Sequence, residues 1–252
     1  MSLVYVFAAS PMEGQPVRKL AEQADSESPL RCGDNDVVLT VTGMGPKNAR
    51  NKAEAALGKA HGTAARTPDA ILVIGLCGGL STSLSERQIV AYSDCRSTDP
   101  CEPVLACSPA LTDAILRRLE ASTIPCERVR GLTSARIATT RSERLALAGS
   151  GATVVDMESY PILKAAAAAG IPAAVLRVVA DSVDRELPDF NRALDDQGGL
   201  DGRKALKVAL GSPLRTVRLL RANKRAIEQL GKALETVVPF PVRIIRVQPP
   251  SD

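Results

Sequence analysis

Short apolar runs alternate with stretches of helical periodicity over most of the chain. Seven runs have the length and residue types of buried strands, at residues 3–9, 37–42, 70–74, 88–93, 129–133, 154–155 and 173–180. Helices are predicted between them over residues 46–60, 109–122, 139–149 and 164–169, and residues 94–109 are predicted to be irregular. This alternation is typical of an α/β fold with a mostly parallel, twisted central sheet flanked by helices.

The C-terminal part of the sequence predicts helix without further strands. From Arg203 onward apolar residues recur at helical spacing, interrupted by Gly211, Ser212 and Pro213. The apolar set is Leu206, Leu210, Leu214, Val217, Leu220, Ile227, Leu230 and Leu234. We expect an α/β domain over residues 1–202 and a basic helical C-terminal extension over residues 203–252 that packs on the same domain.

The composition excludes several classes of protein. Only 2% of the 252 residues are aromatic and Trp is absent, which argues against base-stacking nucleic-acid binders. The sequence has neither an apolar run long enough to span a bilayer nor a leader-like N-terminus, so we expect a cytoplasmic protein. Six cysteines without a C-x-x-C pair are expected to be reduced thiols. The single histidine, His61, argues against structural zinc and a histidine-dependent triad, so no metal is expected.

Positive charge is concentrated near the C-terminus. The formal net charge is +4, yet residues 203–246 hold eleven Lys or Arg against Glu228 and Glu235, which gives about +9 there and about −5 elsewhere. Two interpretations stay open: a solvated packing helix, and a basic amphipathic helix that lies on anionic lipid. Nucleic acid is a weaker third partner, because cations without aromatics give only salt-sensitive affinity.

Two carboxylates follow two successive predicted strands. Glu158 comes just after the run at 154–155, and Asp181 ends the run at 173–180. Because ligands of open α/β sheets bind at the carboxyl ends of strands, both acids are expected to share one crevice. The structural alternatives are a helix N-cap for Asp181 and a first-turn helix acid for Glu158.

Glycines follow three other predicted strands, at Glu13-Gly14, at Gly43-Met44-Gly45 and in the turn expected at residues 75–79. Glycine lets backbone N–H groups approach a ligand, so these turns are candidates for sugar or anion binding, and tight strand-to-helix turns also favour glycine. The segment 75–79 does not match G-x-G-x-x-G and no P-loop lysine follows it, which disfavours dinucleotides and ATP.

Taken in order, these motifs resemble the nucleoside phosphorylase and nucleosidase superfamily. The resemblance rests on Met12-Glu13, Gly43-Met44-Gly45, Cys77-Gly78-Gly79, Met157-Glu158 and Asp181. It implies a nucleoside phosphorylase-like fold in which Met157 and Glu158 bind ribose, Asp181 protonates the purine leaving group and Glu13 activates water. It also places Gly43, Gly45, Gly78, Gly79 and Ile137 at the substrate. The 23-residue separation of Glu158 and Asp181 is similar to that of methylthioadenosine/adenosylhomocysteine nucleosidases.

Within that superfamily the chain looks most like the branch associated with hopanoid biosynthesis, at residues 43–46, 75–80, 139–140 and 155–159 and in its basic C-terminal stretch. This resemblance implies removal of adenine from adenosylhopane. A methylthioadenosine/adenosylhomocysteine-type nucleosidase, a purine nucleoside phosphorylase and a nucleoside-binding protein without catalysis are the alternatives. The resemblance also implies a homo-oligomer and no organic cofactor.

Phosphate is left open as a co-substrate. Family phosphorylases hold phosphate with an Arg and a Ser, but the matching positions here are Val73 and Leu76. This departure disfavours a conventional phosphate site, with Lys47, Asn48 and Arg177 as alternative ligands. The aromatic residue that often stacks on the purine is not evident, so Ile137 or the backbone near it is expected to cover the base.

Overall fold

The computed structural model describes residues 2–21, 29–62, 66–194 and 201–239, with the backbone alone at residues 59–62. Within these ranges the strands are β1 Ser2–Ala8, β2 Leu30–Cys32, β3 Asn35–Val41, β4 Ala70–Gly79, β5 Ile89–Ser97, β6 Leu105–Ala106, β7 Cys126–Thr133, β8 Val154–Asp156 and β9 Ala173–Asp181. The helices are α1 Pro11–Lys19, α2 Pro46–Gly62, α3 Pro109–Ala121, α4 Arg141–Ala148, α5 Ser159–Ala168, α6 Gly202–Gly211 and α7 Pro213–Val237. A short 3-10 helix covers Phe190–Ala193.

The strands form one mixed sheet in the order β2-β3-β1-β4-β8-β7-β5-β6, with β9 paired to both β4 and β5. Five of the described pairings are parallel, and four, β2–β3, β4–β8, β5–β6 and β5–β9, are antiparallel. The α/β fold class is confirmed. The pairings also close a ring, because β4 pairs with β9, β9 with β5, β5 with β7, β7 with β8, and β8 with β4.

Apolar residues pack on both faces of this sheet. Along β4, Leu72 and Ile74 point to one core while Ile71 and Val73 point to the other, as the two-residue period of a strand requires. The first core also holds buried residues of α1, α3 and α7, and the second holds those of α2 and α5. The helices thus cover both faces, and the second half of α7 belongs to the first core.

Two expectations about the segments that follow strands are wrong. Ser10 to Gly14, expected to be a loop, begins helix α1, because Ser10 and Glu13 form a reciprocal capping box and Pro11 lies in the first turn. Residues 75–79, expected to be a turn, lie inside β4, where they pair with β9 and β8. In addition, the segment expected to be irregular contains the end of β5 and all of β6.

The structure adds two observations on surface and redox chemistry. In the part of the chain that the structure describes, no helix is long and apolar enough to cross a membrane. All six cysteines are free, and four of them are buried.

Candidate active site

Buried charged side chains form a cluster near the carboxyl ends of the strands. Glu13 enters from the first turn of α1, Glu158 follows β8, and Arg177 lies in the middle of β9. Glu158 accepts a hydrogen bond from the N–H of Gly45 through Oε1 at 3.0 Å, while its Oε2 lies 3.5 Å from Nη2 of Arg177. The loop after β3, the turn after β8 and strand β9 therefore meet at one carboxylate.

Glu13 is held by hydrogen bonds at both of its carboxylate oxygens. Its Oε1 accepts from the N–H of Leu76 at 2.8 Å, and its Oε2 accepts from the N–H and the hydroxyl of Ser10, each at 2.9 Å. The capping box fixes the side chain to α1, and the Leu76 bond fixes it to β4. Glu13 is thus positioned beside β4 before any ligand binds.

Arg177 joins these groups. Its side chain is only 1% exposed, and it donates from Nη1 to the carbonyl of Leu76 and from Nη2 to the hydroxyl of Ser159, both at 3.0 Å. Although burial by itself lowers the pKa of a guanidinium, the carboxylates of Asp156 and Glu158 hold the pKa of Arg177 above its ordinary value. Arg177 is therefore a permanent cation between carboxylates.

Asp156 shapes the turn that carries Glu158. It accepts from the hydroxyls of Tyr92 at 2.9 Å and Thr133 at 2.7 Å, and from the N–H groups of Glu158 at 3.1 Å and Ser159 at 3.0 Å. Burial raises the pKa of the Asp156 carboxyl, but Arg177 and these hydrogen bonds outweigh burial and leave the pKa below its usual range. Asp156 is a buried anion that positions its neighbours.

The pKa of Glu158 lies above its ordinary value. Burial raises its pKa to about 7, Arg177 opposes that shift, and the charges of Asp156 and Glu13 add to it. Three carboxylates share one guanidinium here, so the cluster has excess negative charge when all are ionised. Such a site stabilises a positive charge that develops beside it.

The absence of a side chain at Gly75 leaves space for the side chains of Glu13 and Arg177. The φ of Gly75 is +145°, and a Cβ at this position would lie 2.5 Å from Oε1 of Glu13 and 2.8 Å from Nη1 of Arg177. We expect Gly75→Ala to lower the free energy of unfolding by about 2–4 kcal/mol, since backbone strain and overpacking combine. Urea unfolding measures this directly.

Gly58→Ala is the matched control for that variant. Gly58 lies in α2, and an added Cβ would meet nothing within 4 Å. Because alanine is the better helix former, this variant is expected to be neutral or more stable by up to about 1 kcal/mol. Equal effects at the two glycines would contradict the crowding inferred at Gly75.

Asp181 lies apart from this cluster, in a second buried ion pair. Its Oδ1 contacts Nη1 of Arg144, which also donates to the carbonyls of Gly79 at 3.3 Å and Ser182 at 3.2 Å. The side chain of Arg144 is 1% exposed and that of Asp181 is 9% exposed, so both partners are buried. Burial raises the pKa of Asp181, and Arg144 opposes that shift.

Strand β4 links the two ion pairs. In the β4–β9 register Gly75 lies opposite Arg177 and Gly78 lies opposite Asp181, with an irregularity between Cys77 and Gly78. A Cβ at Gly78 would lie 3.1 Å from Oδ1 of Asp181. The two groups are thus three residues apart on β4, or about 10 Å along an extended strand.

The helix N-cap alternative for Asp181 is ruled out, whereas Glu158 does lie at the N-terminus of α5, as its structural alternative requires. No helix follows Asp181 directly, because the next described helix is the 3-10 helix Phe190–Ala193, so Asp181 is not a helix N-cap. Glu158 occupies the N-cap position of α5 but makes no side-chain capping bond, and its carboxylate reaches Gly45 and Arg177 instead.

The structure also gives the positions of the remaining predicted site residues. Gly43 and Gly45 have positive φ values of +86° and +89° in the loop after β3, and Gly79 lies in β4 against the backbone of Asp181. Met157 is buried beside Glu158. The backbone of Ile137 bonds the side chain of Asn191 through both its N–H and its C=O, at 2.8 Å each. A base that used these Ile137 groups would have to displace Asn191.

Two of the three alternative phosphate ligands, Asn48 and Arg177, already make other contacts. Asn48 donates to the carbonyl of Met44 at 2.8 Å, and Arg177 is enclosed by Leu76, Ser159 and the carboxylates. Val73 is buried in the core. The side chain of His61 lies outside the described residues. Among the residues that the structure does describe, no group of three or more His, Cys, Asp or Glu side chains is arranged to hold a metal ion.

The sequence interpretation missed the partners of the acids. Arg177 was considered only as a phosphate ligand, and Arg144, Asp156 and Asn191 were given no role. A signal for Arg177 exists, because an arginine inside an otherwise apolar strand run must be paired when buried. Nothing in the local pattern around Arg144 points to Asp181.

Comparison with known proteins decides the family. The model of the Phosphorylase superfamily matches residues 27–205, which is most of the chain. The chain belongs to the phosphorylase superfamily. This membership confirms the predicted class of enzyme and supports cleavage of an N-ribosidic bond as its reaction type. No curated protein sequence matches significantly.

Several solved structures share the fold of this chain at low sequence identity. A futalosine hydrolase mutant of Helicobacter pylori superposes with a TM-score of 0.74 at 12% identity, over 94% of this chain and 99% of that one. The 5′-methylthioadenosine/S-adenosylhomocysteine nucleosidase of the same organism gives 0.74 at 13% identity, over 94% and 98%. The Neisseria meningitidis nucleosidase gives 0.74 at 16% identity, over 95% and 99%.

Proposed function

We propose that this protein hydrolyses the N-ribosidic bond of an adenine nucleoside. The observation that carries the proposal is the buried cluster of Glu13, Arg177 and Glu158. Glu158 pairs with the guanidinium of Arg177, and a Cβ on Gly75 would lie 2.5 Å from Oε1 of Glu13 and 2.8 Å from Nη1 of Arg177. Glu158 accepts hydrogen bonds from the ribose hydroxyls, Glu13 activates the attacking water, and Asp181 protonates the leaving base.

The charge of the cluster suits the chemistry. Breaking a bond between ribose and a purine leaves positive, oxocarbenium-like charge on the sugar and negative charge on the base, as in glycoside hydrolysis. Glu13, Glu158 and Asp156 outnumber the single Arg177 in charge, and all of them are buried. In such a site an unneutralised carboxylate stabilises the cationic sugar more strongly than it would in water.

Water is a better nucleophile than phosphate for this cluster. An incoming phosphate would add negative charge next to carboxylates, and the guanidinium of Arg177 is already enclosed by Leu76, Ser159 and Glu158. A water molecule instead needs only a base within hydrogen-bonding reach. We assign that base to Glu13, whose carboxylate is held in place by neighbouring donors to both of its oxygens.

Asp181 has the properties of a general acid. Its burial raises the pKa, which keeps the proton on the carboxyl to a higher pH than in an exposed aspartate. Oδ1 faces Arg144, so Oδ2 is the oxygen left for the purine. The ion pair with Arg144 orients the carboxyl for transfer of its proton to the base.

The pH dependence of kcat/KM follows from these assignments. The ionised form of Glu158 is needed to accept the ribose hydroxyls, so activity should rise with pH through an apparent pKa of about 7. The protonated form of Asp181 is needed as well, so loss of its proton, at a pKa that burial raises, is expected to lower the activity as pH rises. Steady-state rates of adenine release across pH test this, and an acid limb that persists unchanged in Glu158→Gln would contradict the role of Glu158.

We propose adenosylhopane as the leading substrate. The resemblance of residues 43–46, 75–80 and 155–159 to the hopanoid-associated branch supports it. The likeness to solved methylthioadenosine/adenosylhomocysteine nucleosidases supports a small 5′-thioether as the second candidate. The two differ at the 5′ end of ribose, where one needs an open apolar channel and the other a closed cavity.

A substrate panel tests the proposed function. Purified protein is incubated with adenosine, methylthioadenosine and adenosylhopane in phosphate-free buffer, and free adenine is measured. We expect adenine release that is fastest from adenosylhopane and strongly reduced in Asp181→Asn. If release is fastest from methylthioadenosine, that nucleoside replaces adenosylhopane as the proposed substrate. If none of the three nucleosides releases adenine, the protein is better described as a nucleoside-binding protein without catalysis.

A further inference from the structure

Helix α6 and the first half of α7 expose a row of large apolar side chains. Leu206 and Leu210 of α6 are 60% and 71% exposed, and Leu214, Val217 and Leu220 of α7 are 74%, 43% and 59% exposed. Within each helix these residues are three or four positions apart, so they lie along one side of it. None of the α6 residues is buried. Single exposed leucines are ordinary, but five on consecutive helices indicate a surface that is covered by something else.

Cations flank this row on the same two helices. Residues 202–227 contain eight Lys or Arg and no Asp or Glu, a formal charge of +8 in a chain whose total is +4, so the rest carries −4. The eight are all exposed: Arg203, Lys204, Lys207, Arg215, Arg218, Arg221, Lys224 and Arg225. We call the five apolar residues together with these eight cations the basic apolar face.

The basic apolar face is mounted on the folded core. The second half of α7 buries Ala226, Leu230 and Leu234 in the same core as β1, β4 and β9. At the other end, the N–H of Asp201 donates to the carbonyl of Ala193 at 2.8 Å, and α6 contacts the 3-10 helix Phe190–Ala193. The helices that carry the exposed leucines are therefore packed against the rest of the fold at both ends.

We propose that the basic apolar face binds the surface of a lipid bilayer that contains anionic lipids. In this arrangement the leucines and Val217 enter the boundary between headgroups and acyl chains while the cations contact lipid phosphates. The combination of apolar and cationic groups is what such a surface recognises. The charged side chains of residues 202–227 are all positive, which matches an anionic headgroup layer.

Two other occupants fit the observations less well. A second copy of the chain that docked through the same face would bring two surfaces of charge +8 together, and like charges at such an interface repel. Nucleic acid would neutralise the cations, but its phosphate backbone would leave five exposed apolar side chains without a partner. A bilayer satisfies both kinds of side chain.

The placement of the face brings the lipid surface next to the loop of Ile137. Asn191, in the 3-10 helix that α6 contacts, bonds both backbone groups of Ile137. A bilayer bound to α6 would thus lie near the segment expected to cover the base. The proposal goes beyond the hydrolysis proposed above and does not depend on it, because lipid binding requires no catalysis.

Vesicle cosedimentation of the full chain tests the proposal. Vesicles of phosphatidylcholine alone are compared with vesicles that contain about a third phosphatidylglycerol, at about 0.1 M and about 0.5 M salt. We expect binding to the anionic vesicles that weakens at the higher salt, and little binding to phosphatidylcholine alone. No binding to anionic vesicles at the lower salt would overturn the proposal.

Paired variants separate the contributions of the leucines and the cations. Leu210→Gln with Leu214→Gln, and Arg218→Glu with Arg221→Glu, are each expected to lower vesicle affinity by about tenfold or more. The matched controls lie elsewhere on the surface: Leu145→Gln, at a residue 44% exposed in α4, and Arg117→Glu, at an exposed residue of α3. Both should bind vesicles as the wild type does, and circular dichroism confirms that each variant is folded.

The same variants distinguish failure of this proposal from failure of the proposed hydrolysis. Adenine release from a water-soluble nucleoside should be unchanged by the substitutions at Leu210 and Leu214. Loss of vesicle binding with retained adenine release supports the proposal whatever the substrate is. Equal vesicle binding by these variants and the wild type would overturn the proposal. It would also be overturned if the wild type bound no vesicles but self-associated in sedimentation velocity, and if the leucine substitutions abolished that self-association.

Discussion

Asp181→Asn is expected to lower kcat for adenine release by about 10²–10⁴-fold, the usual contribution of a general acid. The asparagine keeps an oxygen acceptor for Arg144 but cannot give a proton to the purine. Steady-state assays of adenine release measure the effect. Asp184→Asn is the matched control, because Asp184 is 61% exposed and pairs with Arg141 at the surface. It should retain wild-type kcat.

A double variant separates catalysis from stability at this position. Asp181→Asn leaves the buried Arg144 without a counter-charge, which by itself destabilises the fold. Adding Arg144→Met removes that charge and should recover most of the stability in urea unfolding. Activity should stay lost in the double variant. If the recovered fold also recovers adenine release, Asp181 is a structural residue and its assignment as general acid is wrong.

Arg177→Met is expected to lower the free energy of unfolding by about 3–5 kcal/mol, the cost of breaking a buried ion pair from one side. Arg177 is 1% exposed and lies within 3.6 Å of Asp156 and 3.5 Å of Glu158, so its removal leaves buried carboxylates without a cation. Arg31→Met is the control. Arg31 is 48% exposed and pairs with Asp36, so its removal should cost no more than about 1 kcal/mol.

The loss in Arg177→Met should depend on pH in a known direction. Burial already raises the pKa of Glu158 to about 7 in the wild type, and removing Arg177 removes an interaction that lowers it. In the folded variant Glu158 therefore keeps its proton to a higher pH than it does in the unfolded chain. Because of this difference, the free energy of unfolding falls as pH rises above the unfolded pKa of Glu158. Urea unfolding at pH 6 and at pH 8 (~two units apart) should show the larger loss at the higher pH. If the loss of stability did not depend on pH, the inferred interaction between Arg177 and the Glu158 carboxylate would be contradicted.

The sequence predicted the two acids because each carries a local signal. Glu158 and Asp181 end apolar runs, and the ends of β8 and β9 are where the structure places them. What the pattern could not supply is the partner of each acid. Arg144 reaches Asp181 from α4, and Gly45 reaches Glu158 from the loop after β3, through contacts that depend on the closed fold.

The errors at Ser10 to Gly14 and at residues 75–79 have a common physical cause. In both segments glycine was taken as evidence for a turn, although Ser10 and Glu13 have the spacing of a capping box. In residues 75–79 the glycines serve close packing within β4, where Gly75 makes room for Glu13 and Arg177. The antiparallel pairs that close the ring of strands are also long-range, so no local periodicity distinguishes them from parallel pairs.

The most direct test of the central claim is the origin of the new oxygen on the sugar. Adenine nucleoside is turned over in phosphate-free, ¹⁸O-labelled water, and the sugar product is analysed by mass spectrometry. The account predicts free adenine and a sugar that carries one ¹⁸O at its anomeric carbon, at a rate strongly reduced in Glu13→Gln. Adenine release that requires phosphate and yields a sugar 1-phosphate would contradict it.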